Sequence, residues 1–360
     1  MNETKKTQLL GKSLPELEEY FLTLGESRFR GRQVHKWIYQ RQCNSFYEMS
    51  DLPKDLRQRL EELARISIPR VLKQRVSADG SRKFLLELDD KKRVETVVIP
   101  QTGEKNPRYS LCLSTQVGCP IGCTFCATGQ SGFQRNLLAY EITGQFLGSK
   151  KELAKRIKSL DPGAITNVVY MGMGEPMLNY DEMIKSIHML NDPQGINLGQ
   201  RHITISTAGE IKGIERLARE DLQVTLAVSL HACNNELRSQ LIPLNRKYPL
   251  EKLIPAIESY ISKTNRRVTF EYIMLGNVNT SKRDADNLAK MVKPLLANVN
   301  LIPYNEVEDL GFKRPPADQI RQFYNSLVQA GLNVTIREER GGDINAACGQ
   351  LRSESRRKSK

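Results

Sequence analysis

No stretch of the 360 residues approaches the roughly 18 consecutive apolar positions of a membrane-crossing helix, so neither a transmembrane segment nor a membrane partner is expected. The opening Met1–Tyr20 has no apolar core of the kind a secretory signal carries, and the expectation is a cytoplasmic protein. No internal repeat and no low-complexity tract is visible, which argues against a solenoid and against a disordered chain. Acidic residues are the minority: 41 Asp plus Glu face 54 Lys plus Arg, a net charge of +13. Such an excess suits a polyanionic partner, and nucleic acid is the commonest. Cysteine occurs seven times, an odd number in a reducing compartment, so a disulfide scaffold gives way to metal binding or thiol chemistry.

The chain is long enough for about two domains. Residues 1–70 read as a small basic helical module, of helix-hairpin-helix type, for gripping RNA. Leu14–Leu24 has helical apolar spacing with Ser13 as N-cap ahead of Pro15; Phe29–Tyr39 places Val34, Trp37 and Ile38 on one face; Leu56, Leu60 and Leu63 form a third stripe. Residues 71–104 carry a hairpin pattern, with Lys83–Leu88 and Val94–Ile99 flanking Asp89-Asp90-Lys91-Lys92. From 105 to 342, strand candidates at Ser110–Ser114, Ile165–Met171, His202–Ser206, Val224–Leu230, Val268–Met274 and Val299–Pro303 are separated by gaps long enough for crossover helices. Repeated βα units predict a parallel sheet, more than a simple nucleotide-binding half and less than a closed eight-fold barrel. A further strand at Asn333–Glu338 leads to residues 343–360, a glycine-bounded polar loop and a basic tail.

Directly after the first of these strands stands Gly118-Cys119-Pro-Ile-Gly-Cys123-Thr-Phe-Cys126-Ala-Thr-Gly129. Three thiolates this close can hold a soft metal. A structural zinc normally takes four protein ligands, and no nearby Cys or His completes the set. An iron–sulfur cube held by three thiolates leaves one iron open, and S-adenosylmethionine (SAM) can chelate it through its amino and carboxylate groups. Electron transfer then breaks the sulfonium bond and releases a 5′-deoxyadenosyl radical. Zinc or simple buried thiols are the bland readings.

The triplet resembles that of the radical SAM superfamily, whose core is a partial (βα)6 barrel related to the TIM barrel. The resemblance implies a [4Fe-4S] cluster on Cys119, Cys123 and Cys126. It also implies SAM contacts at later strand ends: Gly174 and Glu175 in Met171-Gly-Met-Gly-Glu-Pro176, Ser206 in Ser206-Thr-Ala-Gly209, Ser229, Leu230 and His231, and Asn305. Each segment has a plain alternative as a turn glycine, a helix cap or a core histidine. Their regular placement at strand ends favours the cofactor.

Of the other thiols, Cys43 and Cys233 read as core, and Cys112 alone would read as a small buried hydrophobe. Cys348, in Asn345-Ala-Ala-Cys-Gly-Gln-Leu351, sits in a polar loop where core packing explains little. Together with Phe29–Tyr39, Met49–Pro53, Arg93–Thr96, Ser114–Gly118, the triplet, Met171–Pro176, Ser229–His231 and Ala346–Leu351, this pair makes almost the whole chain similar to the RNA adenine methyltransferases of the RlmN/Cfr type.

That resemblance implies radical chemistry with a physical logic. Carbon 2 of adenine lies between two ring nitrogens and is too electron-poor to attack a methyl sulfonium. By resemblance, Cys348 first takes a methyl from one SAM; a second SAM supplies the radical that removes hydrogen from it. The resulting carbon radical adds to the ring, Glu95 accepts the ring proton, and Cys112 releases the product through a transient disulfide with Cys348. The connection through Gln101–Arg108 is longer than the family pattern, which bears on the register of Glu95. The expected substrates are adenosine 2503 of 23S rRNA and adenosine 37 of certain tRNAs, with an external electron donor and a monomeric enzyme. The competing readings are a carbon-8 methyltransferase of the same family, a non-catalytic zinc-stabilised RNA-binding protein, and a radical enzyme acting on a peptide or small molecule.

Overall fold

The structure is a computed structural model, and it describes residues 6–101, 108–157, 161, 163–307 and 310–352. Most of the longer 101–108 connection and of the basic tail lies outside the described residues.

The amino-terminal helices are α1 (Leu14–Thr23), α2 (Arg28–Tyr39) and α3 (Lys54–Leu63). Ser13 caps α1 as its sequence predicts: its hydroxyl accepts from the Glu16 amide, and the Glu16 carboxylate accepts from the Ser13 amide at 2.6 Å. Leu17, Phe21, Val34 and Ile38 bury the facing stripes of α1 and α2. Lys185–Glu16 (2.6 Å) and His35–Asp192 (2.9 Å) tie this module to the rest of the chain.

Ten strands form one sheet. β1 (Arg70–Val76), β2 (Arg82–Glu87), β3 (Arg93–Pro100) and β4 (Tyr109–Cys112) run antiparallel in succession. The predicted hairpin is thus β2–β3, but it does not stand apart as a linker. An unforeseen strand, β1, precedes it, and β3 pairs directly with β4, so hairpin and barrel share one hydrogen-bonded sheet.

After β4 comes a small hairpin, β5 (Gln116–Gly118) and β6 (Phe133–Asn136), enclosing the cysteine triplet, and then α4 (Ala139–Arg156). The parallel part continues with β7 (Ile165–Tyr170), α5 (Tyr180–Asn191), β8 (Ile203–Thr207), α6 (Ile211–Leu217), β9 (Thr225–Ser229), α7 (Asn235–Leu241), α8 (Leu250–Thr264), β10 (Val268–Met274), α9 (Lys282–Val292), β11 (Ala297–Pro303), α10 (Ala317–Gln329) and β12 (Val334–Ile336). The six strands β4 and β7–β11 are the ones expected for the partial barrel, and β12 adds a short seventh at the edge. Both faces of these strands are covered, so they read as near-continuous apolar runs: Val224, Leu226, Ala227, Val228, Val268 and Phe270 are all fully buried. Most polar groups of the cavity then sit where the strands end, and the carboxyl ends face the triplet.

Candidate active site

Two adjoining cavities occupy that end. The larger, about 860 Å³ and open to solvent, is lined by Cys119, Cys123 and Cys126, by Gly174 and Glu175, by Ser206, Ser229 and His231, and by Glu271, Arg337 and Cys348. The smaller, about 500 Å³, is lined by Ile99, Cys112, Asn305, Arg337 and Cys348 among others. Met171, Ile302, Arg337 and Cys348 belong to both walls.

The triplet leaves β5 on a loop closed by β6. The Thr124 amide donates to Leu241 O at 3.1 Å and the Ala127 amide to Gly349 O at 2.7 Å, so helix α7 and the Cys348 segment hold the loop from two sides. Burial pushes the thiols up, Cys119 to about 12 and Cys123 well above its ordinary value. Among the described residues no three His, Cys, Asp or Glu side chains converge on a point fit for one metal ion. A zinc centre asks for that convergence, whereas in a cube each thiolate takes its own iron. Three half-buried, unbridged thiols line one cavity, a donor set that suits a cluster keeping one iron open.

Glu175 lies at the head of the loop after β7. Its carboxylate accepts from the Ala208 amide (2.7 Å) and the Met177 amide (3.1 Å), joining the β7 and β8 loops, and burial raises it to about 7. Gly174 before it has φ +107°, and a side chain there would meet Gln116 Cβ at 2.7 Å, so only glycine lets the main chain line the cavity. His231, at φ +58°, accepts from the Ile273 amide through Nδ1 (3.0 Å), and Asn279 holds its carbonyl at 2.9 Å. Burial first, and then the charge of Arg238, lower it to about 3; the ring is neutral and its proton resides on Nε2. Ser206 and Ser229 reach the cavity wall, while Leu230 turns into the core, fully buried, and offers only its main chain. Asn305 is 5% exposed, and its Oδ1 has no partner among the described residues. An orphaned acceptor at a cavity wall is what a ligand donor would satisfy.

Cys348 does not sit in an open polar loop. Ala346, Ala347 and Leu351 are buried around it, and Thr128 Oγ1 donates to Leu351 O, because the segment folds back over the cavity. Cys112 faces it across the smaller cavity, a thiol raised to about 12 by burial and then by Cys348. Cys43 and Cys233 line neither cavity.

Glu95 is buried at 3% and lines neither cavity. Its Oε1 pairs with Lys83 Nζ at 3.0 Å, and its Oε2 accepts from the Arg352 amide at 2.9 Å. In the β3–β4 register Val97 lies opposite Cys112, so Glu95, two residues back, shares a sheet face with Cys112 and with Ile99 of the cavity wall.

Three charged residues of this end escape sequence reasoning. Glu271 has a signal, a carboxylate inside the apolar run Val268–Met274; burial raises it, and Asn300 donates to it at 2.8 Å. Arg337, held protonated by Cys348 foremost, shows only as a cation at the end of a short strand. Arg238, fully buried on α7, has no signal in its polar neighbourhood.

Comparison with known proteins agrees with this geometry. Residues 7–66 match the ribosomal RNA large subunit methyltransferase N-terminal domain, and residues 113–289 match the radical SAM superfamily. The chain is 69% identical over 357 residues to a Syntrophomonas wolfei protein named "Probable dual-specificity RNA methyltransferase RlmN", covering 99% of this chain and all of that one. It is 49% identical to the dual-specificity RNA methyltransferase RlmN of Halorhodospira halophila, over 97% of this chain and 94% of the relative. The chain belongs to the RlmN family of radical SAM methyltransferases. A crystal structure of a radical SAM methyltransferase from Sphaerobacter thermophilus superposes with a TM-score of 0.91 at 41% identity, covering 97% of this chain and all of that one. Membership of the radical SAM superfamily implies a [4Fe-4S] cluster and SAM, and the thiol-lined cavity, with an orphaned acceptor in the wall of the cavity adjoining it, suits both.

Proposed function

We propose that this enzyme methylates carbon 2 of adenosine in RNA, at position 2503 of 23S rRNA and position 37 of tRNAs, through a methylated Cys348 and with two SAM per turnover. One observation carries the reading: Cys348 lies in the wall shared by two cavities, with Cys119, Cys123 and Cys126 on one side and Cys112 on the other. A sulfur that must receive a methyl, meet a radical and then be attacked by a second thiol needs that dual access.

When bound through Cys119, Cys123 and Cys126, the cluster supplies the electron that splits SAM into methionine and a 5′-deoxyadenosyl radical. Gly174 gives main-chain approach, Glu175 offers a carboxylate for an ammonium group, and Ser206, Ser229, the Leu230 main chain, neutral His231 and Asn305 offer polar contacts around it. Arg337 places a cation beside Cys348, a setting that favours sulfur attack on a methyl sulfonium. Cys112, kept as a thiol by burial, waits until its proton is lost to attack Cys348 sulfur; the Cys348 S–C bond breaks, the carbon leaves with its electron pair and takes up a proton as the product's methyl group, and the disulfide left behind is reopened by an external reductant. Glu95 serves as proton acceptor; its sheet face, shared with Cys112, supports this, and its bond to the Arg352 amide has to open first.

The net charge of +13, the matched N-terminal domain and the names of the relatives support RNA as substrate. The test is anaerobic incubation of reconstituted enzyme with SAM, reductant and rRNA or tRNA, followed by nucleoside mass spectrometry. The expected product is 2-methyladenosine, absent with Cys348→Ala. Detection of 8-methyladenosine alone overturns the carbon assignment, and turnover by Cys348→Ala overturns the methylcysteine route.

A further inference from the structure

Arg238 is among the largest fully buried side chains of the described residues. Its Nη2 donates to Ala208 O at 2.8 Å and Ser229 O at 3.0 Å, its Nε to Leu230 O at 3.1 Å, and its Nη1 to Asn245 Oδ1 at 2.8 Å. One guanidinium thus fastens the loop after β8 to the loop after β9, and both line the cofactor cavity. A side chain at Gly209, where φ is +104°, would lie 3.1 Å from Leu253 Cδ2 and 3.2 Å from Arg238 Nη2, so the main chain there packs closely on both.

The helix that carries Arg238 also braces the thiol loop. Leu237 and Leu241 of α7 pack in one apolar cluster with Ile121, Phe125 and the three cysteines. Leu241 O takes the Thr124 amide. Arg238 stands between Leu237 and Leu241 on this short helix, and so within the layer that packs on the thiol loop.

Neutral amides could satisfy those oxygens without the cost of burying a charge. All four hydrogen bonds of Arg238 end on uncharged oxygens, and no carboxylate pairs with it among the described residues. A buried cation without an anion costs several kcal/mol. That makes sense if an anionic centre occupies the adjoining cavity. Thiolates around a cube supply the negative charge, and reduction of the cube adds one unit more.

We propose that Arg238 is a positioning residue with two effects: it aligns the β8 and β9 loops for SAM, and as a buried cation on the helix that packs against the thiol loop it favours the reduced cluster. The proposal rests on Cys119, Cys123 and Cys126 being the cluster ligands.

The experiment compares wild type, Arg238→Lys, Arg238→Met and Cys123→Ala, reconstituted without oxygen. Iron content, the midpoint potential from EPR-monitored titration and SAM affinity by equilibrium dialysis are read in turn. Both Arg238 variants are expected to keep their iron. Arg238→Met shifts the midpoint to more negative potential, because the reduced state loses its neighbouring cation. Arg238→Lys keeps the midpoint near wild type yet binds SAM about tenfold more weakly, the loss expected for forfeited charged hydrogen bonds. Should Arg238→Met fail to fold, Arg238→Gln, which keeps a donor without the charge, carries the potentiometric arm. An unmoved midpoint in the uncharged variant, or wild-type SAM affinity in Arg238→Lys, overturns the proposal. Full iron in Cys123→Ala overturns the ligand reading beneath it, so the two failures are told apart.

Discussion

Two walls of the same cavity are built in different ways. The rim of the parallel sheet is made of strand ends whose loops bond to one another, as Glu175 does to the Ala208 amide and Arg238 to Ala208 O and Ser229 O. The opposite wall is the Cys348 segment, held over the cavity by contacts from distant parts of the chain: Lys83 Nζ to Asn345 O at 2.9 Å, Arg352 N to Glu95, and Ala127 N to Gly349 O. The rim is continuous with the sheet beneath it. The segment has no strand among the described residues and is held by polar ties together with Ile344, Ala346 and Leu351, which pack into the core. A cofactor that stays bound suits the first construction, and a cysteine that must be reached by two SAM molecules, an RNA base and a second thiol suits the second.

The sharpest way to separate the walls is to remove a sulfur from each. Cys126→Ala is expected to lose cluster iron and all product, a loss beyond a thousandfold, read by iron analysis and nucleoside mass spectrometry. Cys348→Ala is expected to lose product to the same extent and keep its iron. Loss of iron in both would mean that the walls are not independent.

The next effect tests how the segment is tied down. Lys83 and Glu95 are both almost fully buried, and Lys83→Met leaves the carboxylate without that partner and removes the donor to Asn345 O. Breaking such a buried pair costs about 3–5 kcal/mol, measurable by urea denaturation. Iron content and SAM binding are expected to stay at wild-type levels while turnover falls. Weakened SAM binding would show that the segment supports the rim after all.

A comparable but opposite lever acts on the rim through pH. Glu175 is raised from 4.5 to about 7 by burial, so the folded protein binds its proton more tightly than the unfolded chain. Its contribution to stability is therefore complete below pH 4.5 and fades as pH climbs to 7, by about 1.4 kcal/mol per unit and about 3 kcal/mol in all. In metal-free protein, Glu175→Gln is expected to erase this component from the pH profile of unfolding. Identical slopes for variant and wild type between pH 4.5 and 7 would contradict it.

The contrast between the walls also explains what could be read from the sequence. The rim follows from local pattern: the Cys119–Cys126 spacing, the glycines of Met171–Pro176 and the β-branched runs each announce a strand end. The six parallel strands lie where those runs predicted them, within a residue or two. β1 escaped because Arg70, Lys73, Gln74 and Arg75 give it the polarity of a sheet edge. The Cys348 segment looked like an open polar loop because what covers it comes from residues more than 200 positions away. Lys83 gave no hint that it meets Glu95, since alternation within a strand names a face and not the partner across it. Arg238 is the extreme case: a polar stretch of helix conceals the most buried cation of the site.

The smallest expected effect probes a single tie between the walls. Thr128 follows the last cysteine of the triplet by two residues, and its hydroxyl donates to Leu351 O, three residues beyond Cys348. Thr128→Val keeps the volume and the β-branch but leaves a buried carbonyl unsatisfied, which costs about 1–2 kcal/mol of stability. The change also removes the Thr128 hydroxyl from beside the Cys126 sulfur, but all three thiols stay in place, so iron content is expected to remain at the wild-type level. If the tie matters for placing Cys348 over the thiol loop, alkylation of Cys348 by iodoacetamide is expected to quicken several-fold, because a looser segment exposes its sulfur more often. Equal alkylation rates in the two proteins would instead assign the placement of Cys348 to the Ala127–Gly349 and Lys83–Asn345 contacts, which the substitution leaves in place.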